Sequence, residues 1–204
     1  MKFPTIFTAQ QIRILTELEE RDRQERQARS TAPMRVRAVS RIVAQFLHTT
    51  ILSTQSRTIV EFGTSAGYST MHLATAARRT GGRVFSVDNV PEKTAWARQN
   101  LHAAGLDDIV ELSTADGVSF AERAPAPIDL VLVDYGLPAF FPALNTVKEK
   151  MGRGGLLFVD GWENIERWET EPDWRAFKTH FEDEPDFMTW MLPLEKGHLI
   201  VVKV

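Results

Sequence analysis

Cysteine is absent from the 204 residues. Disulfides, thiolate zinc sites and a cysteine nucleophile are thereby excluded. A basic excess is also lacking: 24 Lys and Arg stand against 27 Asp and Glu, for a formal net charge of -3. A nucleic-acid partner, which usually asks for a basic surface, is therefore not expected. No apolar run approaches the ~18 residues that a membrane span needs. Residues Met1 to Gln10 lack the long apolar core of a signal peptide. Internal repeats and low-complexity linkers are missing too. The expectation is a cytoplasmic protein with no membrane and no nucleic-acid partner. The one basic concentration, Arg21 to Arg41, is interleaved with Glu and Asp in its first half. It reads as a solvated helix face more readily than as a polyanion site.

What is present points to one α/β domain over residues 1–204, with N-terminal helices in 1–56 and the core in 57–204. The length suits one such domain, and 43% hydrophobic residues is an ordinary globular value. Thr8 can cap a helix through Ile12, Leu15 and Leu18. Ser30-Thr31-Ala32-Pro33 breaks it. A second helix follows, with Val39, Ile42, Val43, Phe46 and Leu47 on one face. From residue 57 strands and helices alternate. The strands expected are Thr58–Phe62, Arg83–Asp88, Ile109–Ser113, Ile128–Asp134 and Gly155–Asp160. Helices are expected over Tyr68–Arg79, Pro91–Leu101 and Pro142–Met151. Continuous apolar strands between helices predict a doubly wound, mostly parallel sheet covered on both faces. Two last strands, Phe187–Leu192 and His198–Val204, are joined by only Pro193 to Gly197, a loop that permits an antiparallel pair and no crossover. The expected sheet is seven-stranded.

Ligands of open parallel sheets bind beyond the carboxyl ends of the strands. Here every one of the first five strands ends in an acid: Glu61, Asp88, Asp116, Asp134 and Asp160. A single Asp would be read as a helix cap; five together favour a site. The loop Glu61-Phe62-Gly63-Thr64-Ser65-Ala66-Gly67-Tyr68-Ser69 has glycines that allow tight turns and close approach. It leads to a helix N-terminus that suits an anionic group. Its Gly-x-x-x-Gly spacing lacks the middle glycine of the nicotinamide fingerprint. Asp88, closing the second strand, can accept both hydroxyls of a ribose in either kind of site.

The string Val60 to Ser69, the strand Asp129-Leu130-Val131-Leu132-Val133-Asp134 and the closing Leu192-Pro193-Leu194-Glu195-Lys196-Gly197 resemble the class I S-adenosylmethionine-dependent methyltransferases. Within them the chain is similar to the catechol and caffeoyl-CoA O-methyltransferase group, over about Arg35 to Val204. The resemblance implies a Rossmann-like core, S-adenosylmethionine as cofactor and a small-molecule acceptor. It implies that Glu61, Gly63 and Ser69 hold the methionine part, and that Asp88 binds ribose with Asn89 beside adenine. Ala115 and Asp116 would border the adenine, and Asp134 would lie near the amino group and sulfur. Relatives often dimerise through N-terminal helices, so a homodimer is implied as well.

Two departures bear on catalysis. Metal-dependent members carry an Asp after the fourth strand and an Asp-Asn pair after the fifth. Asp134 and Asp160 match, but Gly161 replaces the Asn, so no metal ligands are assigned. Two carboxylates plus waters, with Glu163 or Asn164, could still hold a divalent cation. The lysine base of catechol-type members is replaced by Leu137. Asp134 and Asp160 become the candidate catalytic residues, with Tyr135 to orient the acceptor. His48, His72 and His198 read as structural. The segment Gly161 to Trp190 holds Trp162, Trp168, Trp174 and Trp190, either as anchors of a surface helix or as an acceptor pocket. The rival functions are a nicotinamide-dependent oxidoreductase and a donor-binding protein that has lost catalysis.

Overall fold

The computed structural model describes residues 6–160, 171–195 and 197–204. Seven strands form one sheet in the order β3-β2-β1-β4-β5-β7-β6. They are β1 (Thr58–Phe62), β2 (Arg83–Asp88), β3 (Val110–Thr114), β4 (Ile128–Val133), β5 (Met151–Val159), β6 (Phe187–Leu192) and β7 (His198–Lys203). The first five pair in parallel, and β7 runs antiparallel to both β5 and β6. The chain order reverses between β1 and β4, which makes that point the switch crevice of a doubly wound sheet.

The helices are α1 (Ala9–Gln27), α2 (Arg41–Thr54), α3 (Tyr68–Thr80), α4 (Pro91–Ala103), α5 (Gly117–Arg123), the single turn α6 (Leu137–Phe140), α7 (Leu144–Lys150) and α8 (Pro172–Glu182). Thr8 caps α1 in a full capping box with Gln11. Ser40 caps α2 through the Val43 amide. The stripe expected on α2 needs one correction. Val43 and Leu47 are buried, but Ile42 is 39% exposed, because the helix starts only at Arg41 and turns Ala44, His48 and Ile51 inward instead.

Strand alternation sorts the core into two faces. Ile59, Leu130, Leu132, Phe158 and Ile200 pack against α1, α2 and α3. Val60, Phe62, Val131, Val133, Leu157 and Val159 pack with Phe120, Phe140, Leu144 and Phe177 on the other side. Phe62 makes edge contacts with Phe120 and Phe140 at 5.3 and 4.9 Å between ring centres.

Two expected boundaries move. Strand β5 begins at Met151, four residues earlier than expected, with a register shift against β4. A Cβ on Gly155 would stand 2.7 Å from the Gly152 carbonyl oxygen, so the bulge there needs glycine. The helix expected over Pro142–Met151 becomes a 3-10 turn at Phe141–Ala143 followed by α7, and the single turn α6 precedes them. Gly161, Trp162, Glu163, Asn164 and Trp168 lie outside the described residues. Trp174 is buried on α8, whereas Trp190 on the outermost strand is 44% exposed. No helix among the described residues is long and apolar enough to cross a membrane.

Candidate active site

Strand β1 ends in a loop that the sheet holds closely. The amides of Gly63 and Thr64 both donate to the Val87 carbonyl, at 2.8 and 3.1 Å. Gly63 has φ +109°, and a Cβ there would lie 2.3 Å from the Asp134 carbonyl oxygen. Glycine is required on both counts. Gly67, also at positive φ, opens α3 without a side-chain cap.

A cavity of about 420 Å³ lies over this crevice, a size suited to a small-molecule ligand. Gly63, Ser65, Asp88, Asn89, Asp134, Tyr135, Gly136 and Asp160 line its strand-end side. Four of the expected cofactor residues, Gly63, Asp88, Asn89 and Asp134, therefore meet in one cavity, together with Asp160. Asp88 accepts the Ser65 amide on Oδ2 and the Val90 amide on Oδ1, both at 2.9 Å. Each oxygen retains a lone pair by count.

Glu61 and Ser69 are placed elsewhere. Neither lines the cavity, and they are 0% and 5% exposed. The Glu61 carboxylate accepts hydroxyls from Ser69 and Thr70 of α3, each at 2.5 Å, and from Ser86 of β2 at 2.6 Å. Thr64 joins the cluster through Ser86 at 2.6 Å. This buried knot fastens β1, β2 and α3 beneath the loop. Burial raises the Glu61 carboxyl to about 7, against the opposing pull of the three hydroxyls.

Ala115 and Asp116 do not line the cavity either. Asp116 is exposed and caps α5 through the Ser119 amide and hydroxyl, at 2.9 and 2.7 Å. That is the helix-cap role which competes with ligand binding for any strand-end Asp. Tyr135, which does line the cavity, reaches the next residue: a Cβ on Gly117 would come within 2.7 Å of its hydroxyl.

Two features were missed in the sequence. His198 Nδ1 lies 3.0 Å from Asp160 Oδ1, with the two side chains 1% and 9% exposed. The His198 ring stacks on Phe158 at 4.9 Å. Asp160 thus enters the cavity with one oxygen held by an imidazole. His48 and His72 keep to the structural role expected of them, buried against Phe7; burial and the neighbouring His48 hold His72 down at about 3.

The second missed feature is the roof. Residues 34–38, between α1 and α2, cross the cavity as a strap. Glu25 accepts the Val36 amide at 2.8 Å, and Arg26 donates to the Ala38 carbonyl at 3.0 Å. From the other side, the Ser65 hydroxyl donates to the Val36 carbonyl at 2.5 Å. Val36 is buried, and its neighbours Arg35 and Arg37 line the cavity with Lys93 of α4. The second half of the basic run is thus cavity wall, a correction to the solvated face expected of it. In the first half Arg21, Arg23 and Arg26 pair with Glu25, Glu20 and Asp22 along α1, and Arg26 with Asp22 and Glu25 also reaches the cavity. A pattern of two arginines flanking an apolar residue after a helix break was the available signal.

Among the described residues no group of three His, Asp or Glu side chains is placed to hold a metal. Asp134 and Asp160, the two positions considered for a cation, are both at the cavity.

A family model described as a methyltransferase domain matches residues 60–162. A catechol O-methyltransferase of Niastella koreensis is 30% identical over 126 residues, 60% of this chain and 56% of that protein. One of Mycobacterium tuberculosis is 36% identical over 124 residues, with the same coverage of each. A protein-L-isoaspartate O-methyltransferase of Marinobacter nauticus is 36% identical over 101 residues, 50% of this chain and 42% of that one. The chain thus spans about half the length of these curated relatives. Among solved structures, the SAH-bound methyltransferase PaMTH1 of Podospora anserina superposes with a TM-score of 0.78 at 18% identity, covering 94% of this chain and 88% of that one. An O-methyltransferase of Bacillus cereus in complex with SAH gives 0.76 at 22% identity, covering 94% and 91%. The family match spans the core from β1 past β5, half of the chain: this chain belongs to the methyltransferase domain family.

Proposed function

We propose that this protein is an S-adenosylmethionine-dependent methyltransferase acting on an oxygen of a small-molecule acceptor. The observation that carries this is the meeting of the Gly63 loop, Asp88, Asn89, Asp134 and Asp160 in one cavity at the switch crevice. Family membership sets the nicotinamide alternative aside.

The residues fit the donor. Asp88 keeps one acceptor position on each oxygen, which suits the two hydroxyls of a ribose. Asn89 stands beside it for the adenine. Asp134, at the end of β4, suits the amino group and the positive sulfur. Glu61 and Ser69 act through the loop they fasten and not by contact. When bound, S-adenosylmethionine would supply a methyl group on a positively charged sulfur.

The chain's own part in the reaction is placement and proton transfer. Asp160 Oδ2, the oxygen not facing His198, takes the proton of the acceptor hydroxyl. His198 Nδ1–H holds Oδ1 and fixes the carboxylate's rotamer. This dyad takes the place of the lysine absent at Leu137. Tyr135 and the strap close the cavity around the acceptor.

Isothermal calorimetry with S-adenosylhomocysteine tests the reading. Saturable binding, abolished or weakened by Asp88→Ala, is expected. No heat at millimolar ligand overturns it.

A further inference from the structure

The cavity lining carries charge of both signs. Asp88, Asp134 and Asp160 come from the strand ends; Arg35, Arg37 and Lys93 come from the strap and α4. The acids suit a cationic methyl donor lying along the strand ends. The cations line the same cavity and suit a ligand group of negative charge.

Several observations say that these cations are built in. The strap backbone is tied from both sides, by Glu25 and Arg26 of α1 and by Ser65 of the glycine loop. Asp22 adds a bond to the Ala38 amide at 3.3 Å. Arg37 sits at φ +48°, a left-handed conformation that is costly for a non-glycine residue and persists where the surrounding structure imposes it. The Arg35 Nε is buried and has no hydrogen-bond partner, an arrangement that costs free energy until an acceptor arrives. Lys93 is half-buried, and among the described residues no carboxylate is within ion-pair distance of it. Burial lowers the Lys93 ammonium's pKa first; Arg37 and Arg35 push the same way, while Asp88 and Asp134 oppose them. By contrast with Lys93, Arg26 at the cavity is held by Asp22 at 2.6 Å.

We propose that the methyl acceptor carries an anionic group, a carboxylate or a phosphate, which Arg35 and Lys93 bind with Arg37 beside them. The proposal rests on the methyltransferase reading above and names the class of its acceptor. The guanidinium and ammonium groups of the lining would hold the anion of the substrate, leaving its hydroxyl for Asp160. Arg35 suits the role because a guanidinium binds either anion in bidentate fashion. The acceptor would be a small hydroxy-acid or a hydroxylated phosphate ester, not a neutral phenol.

The test uses the full chain saturated with S-adenosylhomocysteine and three probes: catechol, 3,4-dihydroxybenzoate and catechol monophosphate. One anionic probe should bind at least about tenfold more tightly than catechol, the scale of a charge-assisted contact. The tighter of the two tells carboxylate from phosphate. Arg35→Gln and Lys93→Gln should each remove the preference, while S-adenosylhomocysteine affinity stays within about threefold and circular dichroism shows the fold retained. Equal binding of all three probes overturns the proposal. So does a tenfold loss of S-adenosylhomocysteine affinity in both variants, which would assign these cations to the donor's own carboxylate. If the wild type binds no S-adenosylhomocysteine, the methyltransferase reading fails by itself. The probes are then titrated on the protein alone, where the same preference, and its loss in the variants, decides whether the anion site exists.

Discussion

His198 Nδ1 stands 3.0 Å from Asp160 Oδ1, inside the sheet and at the edge of the cavity. The strand register produces this contact. Val159 of β5 lies opposite Leu199 of β7, so the next residue on each strand, Asp160 and His198, falls into reach beyond that pair. If Asp160 is the base, Asp160→Asn should lower kcat by about a hundredfold or more with S-adenosylhomocysteine affinity unchanged. His198→Asn should lower kcat by roughly tenfold with the acceptor KM little changed, since it acts by orienting the carboxylate. Unchanged kcat in Asp160→Asn would remove the dyad from the mechanism.

The donor side has its own prediction. Asp88 would give two charge-assisted hydrogen bonds to a ribose, and it also accepts the Ser65 and Val90 amides. Asp88→Ala should weaken S-adenosylhomocysteine binding by about 1–3 kcal/mol, read by calorimetry. Asp88→Asn should fall between the two, because an amide oxygen replaces only one acceptor.

Glu61 predicts a pH dependence of stability. Its carboxyl is raised from 4.5 to about 7 in the fold, first by burial. The native state therefore keeps a proton that the unfolded chain releases. The associated stability is complete below pH 4.5, declines as pH rises to about 7, and is flat beyond. The decline amounts to on the order of 3 kcal/mol. Denaturant midpoints measured from pH 4.5 to 8 should show it, and Glu61→Gln, which needs no proton, should flatten that part of the curve. An equal slope in the variant would mean that another group carries it.

Backbone constraints give a fourth expectation. Gly63→Ala meets both a left-handed φ and the Asp134 carbonyl oxygen at 2.3 Å. It should cost at least about 1–3 kcal/mol and lower the melting temperature, together with a loss of S-adenosylhomocysteine binding.

The strap supplies the fifth. Ser65→Ala removes the hydroxyl that holds the Val36 carbonyl at 2.5 Å, a bond worth about 1 kcal/mol. Trypsin should then cut at Arg35 or Arg37 faster than in the wild type. Identical cleavage rates would show that α1 alone secures the segment.

Much of this architecture was legible in the sequence. Local patterns were enough for Thr8 as a cap, for Gly63 and Gly67 in a tight loop, and for the apolar strands that alternate their burial between two faces. What escaped depends on pairing between distant residues. His198 could be assigned to Asp160 only with the antiparallel register of β5 and β7 in hand. Glu61 looked like a ligand residue because Ser86, 25 positions away, could not be seen to claim its oxygen. Asp116 offered the same carboxylate to two roles, and the Ser119 amide three residues on took it. Arg35 and Arg37 were hidden for another reason. Their segment has no periodicity, and its path is fixed by side chains of α1 and by Ser65, not by its own composition.

That path has a practical meaning. The family match begins at residue 60, whereas the strap ends at residue 38. On the anionic-acceptor proposal, acceptor choice would be divided between two stretches of the chain that touch through Ser65 and Val36. Transplanting residues 6–40 onto a related core would carry the acceptor preference only where that core also keeps a cation at the place of Lys93 and a carboxylate at that of Asp160.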